Sequence, residues 1–281
     1  MQKVTTISEI RKAVKQYRQQ GQTIAFVPTM GNLHAGHIKL VAEARKKADK
    51  VIVSIFVNPA QFGVGEDFES YPRTHLEDSE KLKKAGADLL FLPTVFEIYP
   101  DTTETTVSVA GLSTIHCGAY RAGHFDGVAT VVSKLFNIVQ PDRAIFGEKD
   151  FQQLIIIKQM VKDLNIPVDI IAVATAREND GLAMSSRNGY LTSQQREIAP
   201  KLYLTLCQAR DRVIQGKESI QSIEKKCQAE LQTSGFEVDY FSVCRASDLV
   251  LANEDDHHLV ILVAAKLGKP RLIDNVFFSK K

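Results

Sequence analysis

The chain has no tryptophan, and its four cysteines, Cys117, Cys207, Cys227 and Cys244, lie far apart with no Cys-x-x-Cys pair. The first absence only limits the choice of optical probe. The second argues against a disulfide framework or a zinc ribbon and suits a reduced, cytoplasmic chain. Long apolar runs are missing too. The longest, Val51–Val57 (with Ser54 inside) and Leu259–Ala265, fall far short of the roughly 20 residues that span a bilayer. The first residues, MQKVTTISEIRKAVKQYRQQ, contain no apolar core like that of a signal peptide. No membrane partner is expected. Nor is there an excess of one charge: 35 Lys and Arg stand against 33 Asp and Glu, a net +2. That balance argues against a nucleic-acid binder, leaving room only for a local basic cleft. What is present is ordinary globular composition, 44% hydrophobic and 24% charged over 281 residues. Collagen-like and disordered chains are excluded, and the length allows one large domain or two modest ones.

Periodicity gives the organisation. Ile7–Gln20 reads as an amphipathic helix, with Ser8 as N-cap and Gly21 as stop. Thr23–Val27 and Val51–Val57 read as strands, and the near-continuous Val, Ile and Phe of the second suits burial on both faces of a parallel sheet. His37–Ala48 and Leu76–Ala85 read as helices and Leu89–Leu92 as a third strand. The alternation continues with helix Gly127–Val139, strand Arg143–Phe146, helix Phe151–Leu164 and strand Val168–Val173. This is the pattern of an α/β, doubly wound parallel sheet. The texture then changes to helices Gln194–Gln215 and Ser219–Gln232, followed by strands Val238–Arg245, His258–Ala265 and Arg271–Phe277. A smaller C-terminal α+β domain, residues 176–281 after a first domain of 1–175, is the expectation.

Three segments carry chemistry. Met30-Gly31-Asn32-Leu33-His34-Ala35-Gly36-His37 follows a strand and opens a helix. Helix N-termini present backbone N–H groups and partial positive charge, which suits phosphate. His34 and His37 are three apart, so on a helical turn they share a face and can donate to a phosphate that gains charge in a transition state. The plainer reading of such a histidine is a cap or a surface group. A zinc reading lacks a third ligand. Gly147-Glu148-Lys149-Asp150 ends a strand, where open parallel sheets gather ligands; a solvated charged turn is its plainer reading. Met184-Ser185-Ser186-Arg187 sets two hydroxyls beside a guanidinium, suited to an oxyanion-rich ligand or simply a capped loop.

The first segment resembles the HxGH signature, and the third the KMSKS loop, of the nucleotidyltransferase and class I aminoacyl-tRNA synthetase superfamily. Five stretches narrow this. FVPTMGNLHAGH (26–37), VSIFVNPAQFG (53–63), YPRT (71–74), GHFDGVATVVSKLFNIVQPDRAIFGEKDFQQL (123–154) and DGLAMSSRNGYL (180–191) resemble the pantothenate synthetase family of pantoate–β-alanine ligases. The likeness spans essentially the whole chain.

The resemblance implies a Rossmann-like fold, a cytoplasmic homodimer, and an enzyme that joins pantoate to β-alanine with ATP through a pantoyl-adenylate, releasing AMP and pyrophosphate. It implies ATP with Mg²⁺ as substrate and no tightly bound organic cofactor. Carried over residue by residue, it assigns His34 and His37 to the transferred adenylyl group. Met30 to His37, including Gly31, Asn32, Leu33, Ala35 and Gly36, would line the ATP site. Gly147, Glu148, Lys149 and Asp150 would hold the nucleotide, with Lys149 on phosphates and Asp150 near the ribose. Ala176 would touch adenine through its backbone, and Met184, Ser185, Ser186 and Arg187 would close over the triphosphate. Gln61 and Gln153 would bind pantoate, with Gln61 also at the β-alanine site. Asn58, Tyr71 and His124 match family positions lining the cleft, and Asp67 would be a Mg²⁺ ligand. Asn32 and Ala122 depart from the family pattern, which has Ala or Tyr and Pro there; loop geometry is what these departures affect.

Other nucleotidyltransferases of the superfamily, a tRNA synthetase and a catalytically silent nucleotide-binding protein are the competing readings. The contexts of Gln61 and Gln153 and the second domain argue against the first. The short chain and low net charge argue against the second. The full set of polar groups for chemistry argues against the third.

Overall fold

A computed structural model describes residues 1–63, 65–101 and 103–280. The chain divides into two compact units, Met1–Glu148 with Ile156–Ala174, and Lys149–Ile155 with the chain from Thr175 onward.

Elements of the first unit alternate. β1 (Gln2–Val4) leads to α1 (Ile7–Gln19), β2 (Ile24–Thr29), α2 (Ala35–Arg45), β3 (Lys50–Ile55), α3 (His75–Ala85) and β4 (Leu89–Phe91). Two single-turn helices, α4 (Val95–Ile98) and α5 (Cys117–Tyr120), precede α6 (His124–Val139), β5 (Arg143–Gly147), α7 (Phe151–Asp163, whose residues from Ile156 on belong to this unit) and β6 (Asp169–Val173). The sheet is parallel throughout, in the order β1-β4-β3-β2-β5-β6. Central β2 has Phe26 between Ile52 and Ala144. Ile24 to Val27 are all fully buried, because both sheet faces are covered. Ala25 and Val27 pack with Val41 and Ala44 of α2 and Leu82 of α3. The apolar α6 lies against β2 and α1. The strand order reverses between β2 and β5, so the carboxyl ends of these two strands mark the place where such sheets bind ligands.

In the second unit, α8 (Ser193–Ile198), α9 (Lys201–Gln215) and α10 (Ile220–Thr233) precede β7 (Glu237–Arg245), β8 (His258–Lys266) and β9 (Arg271–Ser279). The strands form an antiparallel sheet, β7-β8-β9. Leu202, Leu206 and Val213 of α9 and Ile223 and Leu231 of α10 share a core with Val243, Ile261 and Val263. The α/β doubly wound class with a smaller α+β part is what the sequence pattern led us to expect.

Several local expectations need correction. The N-cap of α1 is Thr6, not Ser8. Thr6 accepts from Glu9 N–H at 3.2 Å, while the Glu9 carboxylate accepts from Thr6 N–H at 3.0 Å. That reciprocal box satisfies two orphan donors, which a cap at Ser8 would not do. The expected helix 194–215 is two helices, since Pro200 has no N–H to continue the first. α2 starts at Ala35 rather than His37, and α6 at His124 rather than Gly127. β1 is too short, at three residues, to leave a periodic signal.

Candidate active site

The HxGH segment leaves β2 through a tight turn in which Gly31 (φ +86°) and Asn32 (φ +50°) are both left-handed. A side chain at Gly31 would put its Cβ 2.9 Å from Ile55 Cγ2. Asparagine tolerates the left-handed region better than the Ala or Tyr of the family pattern, so the departure at 32 fits the backbone. Asp78, fully buried at the start of α3, accepts from Asn32 N–H and Leu33 N–H, both at 2.8 Å, and from the Thr74 hydroxyl at 3.0 Å. Leu33 sends its side chain into the core, and its carbonyl accepts from Lys81 Nζ at 2.7 Å. The turn is thereby fixed before α2 begins.

His34 is the N-cap of α2. Its Nδ1 accepts from Gly36 N–H at 3.1 Å, and Nδ1 of His37 accepts from His34 N–H at 3.3 Å. A backbone N–H can only donate, so these bonds put the ring proton of each imidazole on Nε2. The rings lie with centroids 4.1 Å apart. The plain reading of His34 as a cap and the functional one are therefore compatible: one nitrogen caps, and the other is a donor. The first turn of α2 contains no acidic residue, which keeps its partial positive charge uncompensated by a side chain of that turn.

A second cluster follows β3. Gln61, buried in a short 3₁₀ turn, donates through Nε2 to Met30 Sδ at 3.0 Å. Its Oε1 accepts from Asn58 Nδ2 at 3.2 Å, and the same amide donates to Gly127 O at 3.1 Å. Tyr99 donates its hydroxyl to Asn58 Oδ1 at 2.9 Å. Burial pushes that phenol up to about 12, so it stays a donor. α6 can approach only because residue 127 is glycine: a Cβ there would sit 2.2 Å from Ala60 O. On the other side, Arg121 forks onto Glu66 (2.7 and 2.6 Å) and reaches Nε2 of His124 at 2.9 Å. Arginine only donates, so Nε2 accepts, and Nδ1–H of His124 donates to Gln61 O at 2.7 Å. Burial pushes the Glu66 carboxyl up, but hydrogen bonds and charge from Arg121 overcome it and hold the group below its ordinary value. Tyr71 is buried, edge-on to Phe62.

The second unit holds the other segments. Lys149 Nζ lies 3.7 Å from the Asp150 carboxylate. Gln153 is half-buried in the first turn of α7. Residues 176–184 form a small hairpin, with Met184 N–H donating to Ala176 O at 2.9 Å and Arg177 bridged to Ala183. Gly181 (φ +91°) makes the turn, against the Tyr203 ring. The hairpin delivers Ser185, whose hydroxyl caps the 3₁₀ helix Ser186–Tyr190 by accepting from Arg187 N–H at 3.2 Å. Gly147 ends β5 and Glu148 opens the 3₁₀ turn that follows, both in the first unit. Among the described residues no group of three or more His, Cys, Asp or Glu side chains could hold a metal ion, so Asp67 has no such companions. The four cysteines carry free thiols. No described helix is long and apolar enough to cross a membrane.

Residues 2–277 match the family model described as "Pantoate-beta-alanine ligase". The chain belongs to the pantoate–β-alanine ligase family. Curated relatives agree over full length. The pantothenate synthetase of Pseudomonas entomophila is 54% identical across 99% of this chain and 97% of its own. That of Marinobacter nauticus is 51% identical across 100% of both. Among solved structures, the pantothenate synthetase of Thermus thermophilus superposes with a TM-score of 0.92 at 44% identity, covering 98% of this chain and 99% of that one. The pantoate–β-alanine ligase of Francisella tularensis, complexed with beta-gamma ATP and β-alanine, gives 0.84 at 37% identity, covering 99% and 97%. Members of this ligase family form an amide bond, and the ATP-dependent joining of pantoate to β-alanine is the activity of this chain.

The candidate segments are legible in the sequence; the residues that hold them are not. Asp78 is 45 residues from the turn it fixes, and Arg121 is 55 from Glu66. Contacts of that range leave no local pattern.

Proposed function

We propose that the reaction runs in two steps, through a pantoyl-adenylate. The pantoate carboxylate attacks the α-phosphorus of ATP, forming a C–O–P bond as pyrophosphate leaves. The amine of β-alanine then attacks the acyl carbon, loses a proton, and AMP departs as the amide bond forms. The first step builds negative charge on phosphate oxygens, and donors aimed at that charge lower the barrier most. In the first unit, His34 and His37 supply Nε2–H donors at the α2 N-terminus. In the second, Lys149, Ser185, Ser186 and Arg187 supply a further set. The observation that carries this reading is the tying of both Nδ1 atoms to backbone N–H groups, which fixes the ring proton on the other nitrogen.

Gln61 and Gln153 suit pantoate because amides pair with hydroxyls and carboxylate without adding charge. Gln61 also faces β-alanine. Leu33 acts through packing, and Met30, Gly31, Asn32, Ala35, Gly36, Gly147, Glu148, Asp150, Ala176 and Met184 line the nucleotide. Mg²⁺ arrives with ATP, held mainly by phosphates. The family resemblance carries the further readings of a homodimer and a cytoplasmic location. The experiment is direct. Purified protein with ATP, Mg²⁺, pantoate and β-alanine should yield AMP and pantothenate in equal amounts, and neither when pantoate is omitted. AMP without pantothenate would overturn the reading.

A further inference from the structure

Lys149 belongs to the same compact unit as the C-terminal sheet, and that sheet reaches it directly. Asn275 of β9, buried, donates from Nδ2 to the Lys149 carbonyl at 2.9 Å. Asn275 is itself held by its neighbours. Its N–H donates to Asp274 Oδ1 at 2.8 Å, and its carbonyl accepts from Arg177 Nη2 at 3.3 Å. Arg177 forks onto both Asp274 oxygens, at 2.7 and 2.9 Å, and donates to Gly181 O at 3.1 Å. Its guanidinium lies 3.5 Å from the centre of the Tyr203 ring. Asp274 is almost wholly buried. A carboxylate so placed needs a fixed partner, and a two-pronged guanidinium has only one arrangement that satisfies both oxygens. One rigid pair therefore touches the strand that holds Lys149 and the hairpin that begins at Ala176 and ends at Met184.

We propose that Asn275 is a positioning residue for Lys149, and that the Arg177–Asp274 pair keeps Asn275 and the 176–184 hairpin in one frame. This rests on the reading of Lys149 as a phosphate-binding group. Asn275 touches no substrate; it sets where the lysine backbone starts, and hence where its ammonium can reach. A group displaced by a fraction of an ångström to an ångström loses much of its effect on the reacting phosphate.

The test is a double-mutant cycle on single-turnover adenylate formation from ATP, Mg²⁺ and pantoate. Asn275→Ala is measured in the native background and in Lys149→Ala, each with an ATP concentration series and a thermal melt. The expected result is a loss of about 10- to 100-fold in the native background, chiefly in the limiting rate. In the Lys149→Ala background the further loss should be under about twofold, because the group being positioned is gone. Equal fold-losses in both backgrounds would mean a merely structural role and overturn the proposal, as would no loss in the native one. An unchanged rate for Lys149→Ala alone would instead remove the reading of Lys149, and the proposal with it. Should Asn275→Ala fail to fold, Arg177→Lys gives the same cycle, since lysine keeps the charge without the fork.

Discussion

Replacing Gly127 with alanine tests how α6 supports Gln61, the amide proposed to bind pantoate. The added Cβ would stand 2.2 Å from Ala60 O, 2.5 Å from its carbonyl carbon and 2.7 Å from Gln61 N. It must retreat by roughly 1 Å to reach ordinary van der Waals contact. α6 is buried along most of its length, so the turn at 58–61 yields rather than the helix. Overpacking of this kind costs about 1–3 kcal/mol, partly offset by the roughly 1 kcal/mol by which alanine is the better helix former. The larger effect falls on function. Gln61 would move with its turn, and a displacement near 1 Å costs about 10²-fold in rate. Pantoate-dependent ATP–pyrophosphate exchange, with KM for pantoate and limiting rate measured separately beside a thermal melt, reads this directly. Exchange within threefold of the parent enzyme, at unchanged KM, would refute the placing of pantoate against Gln61.

Other outcomes follow from the same geometry. His37→Ala should lower adenylation by about 10²–10³-fold, the loss typical of one oxyanion donor; an effect under about threefold in single-turnover kinetics would remove that role. Asp78→Ala leaves the buried Leu33 N–H and the half-buried Asn32 N–H without their acceptor, the buried one at about 1–3 kcal/mol, so denaturant unfolding should show a loss of at least about 1–3 kcal/mol. Asp78→Asn, which keeps one acceptor oxygen, should lose less; equal losses would contradict the account. Glu66 is held below its ordinary carboxyl value by Arg121, against its burial. Its contribution is therefore full above the unfolded value of about 4.3 and fades as pH falls through that value toward the folded one. The stability gap between the parent and Glu66→Gln should shrink as pH falls through the ordinary carboxylate range; a constant gap would show that the pair does not titrate with folding.

The fold was legible where the physics is local. Continuous Val and Ile in β3 signalled a strand covered on both faces, and no polar residue needs to alternate with them because helices flank the sheet. The α6 register failed by three residues because Gly123, left-handed at φ +76°, rather than a Ser or Asp cap, precedes His124. Of the candidate segments, the Met30–His37 turn was legible in its residues, because turns that approach phosphate need glycine and donors must follow at helical spacing, whereas Gly147–Asp150 and Met184–Arg187 were assigned only through the family resemblance. What could not be read were the long-range carboxylates. Asp78 looks like any acidic residue in the first turn of a surface helix, and Asp274 like a polar residue on a strand. Their partners, Asn32 and Arg177, come from other elements and are fixed only by the fold.

The most direct measurement of the central claim is ATP–pyrophosphate exchange with pantoate present and β-alanine absent. Reversible pantoyl-adenylate formation predicts exchange that requires pantoate and Mg²⁺. If labelled pyrophosphate fails to enter ATP, while AMP and pantothenate still appear once β-alanine is added, the account of reversible pantoyl-adenylate formation before β-alanine is contradicted.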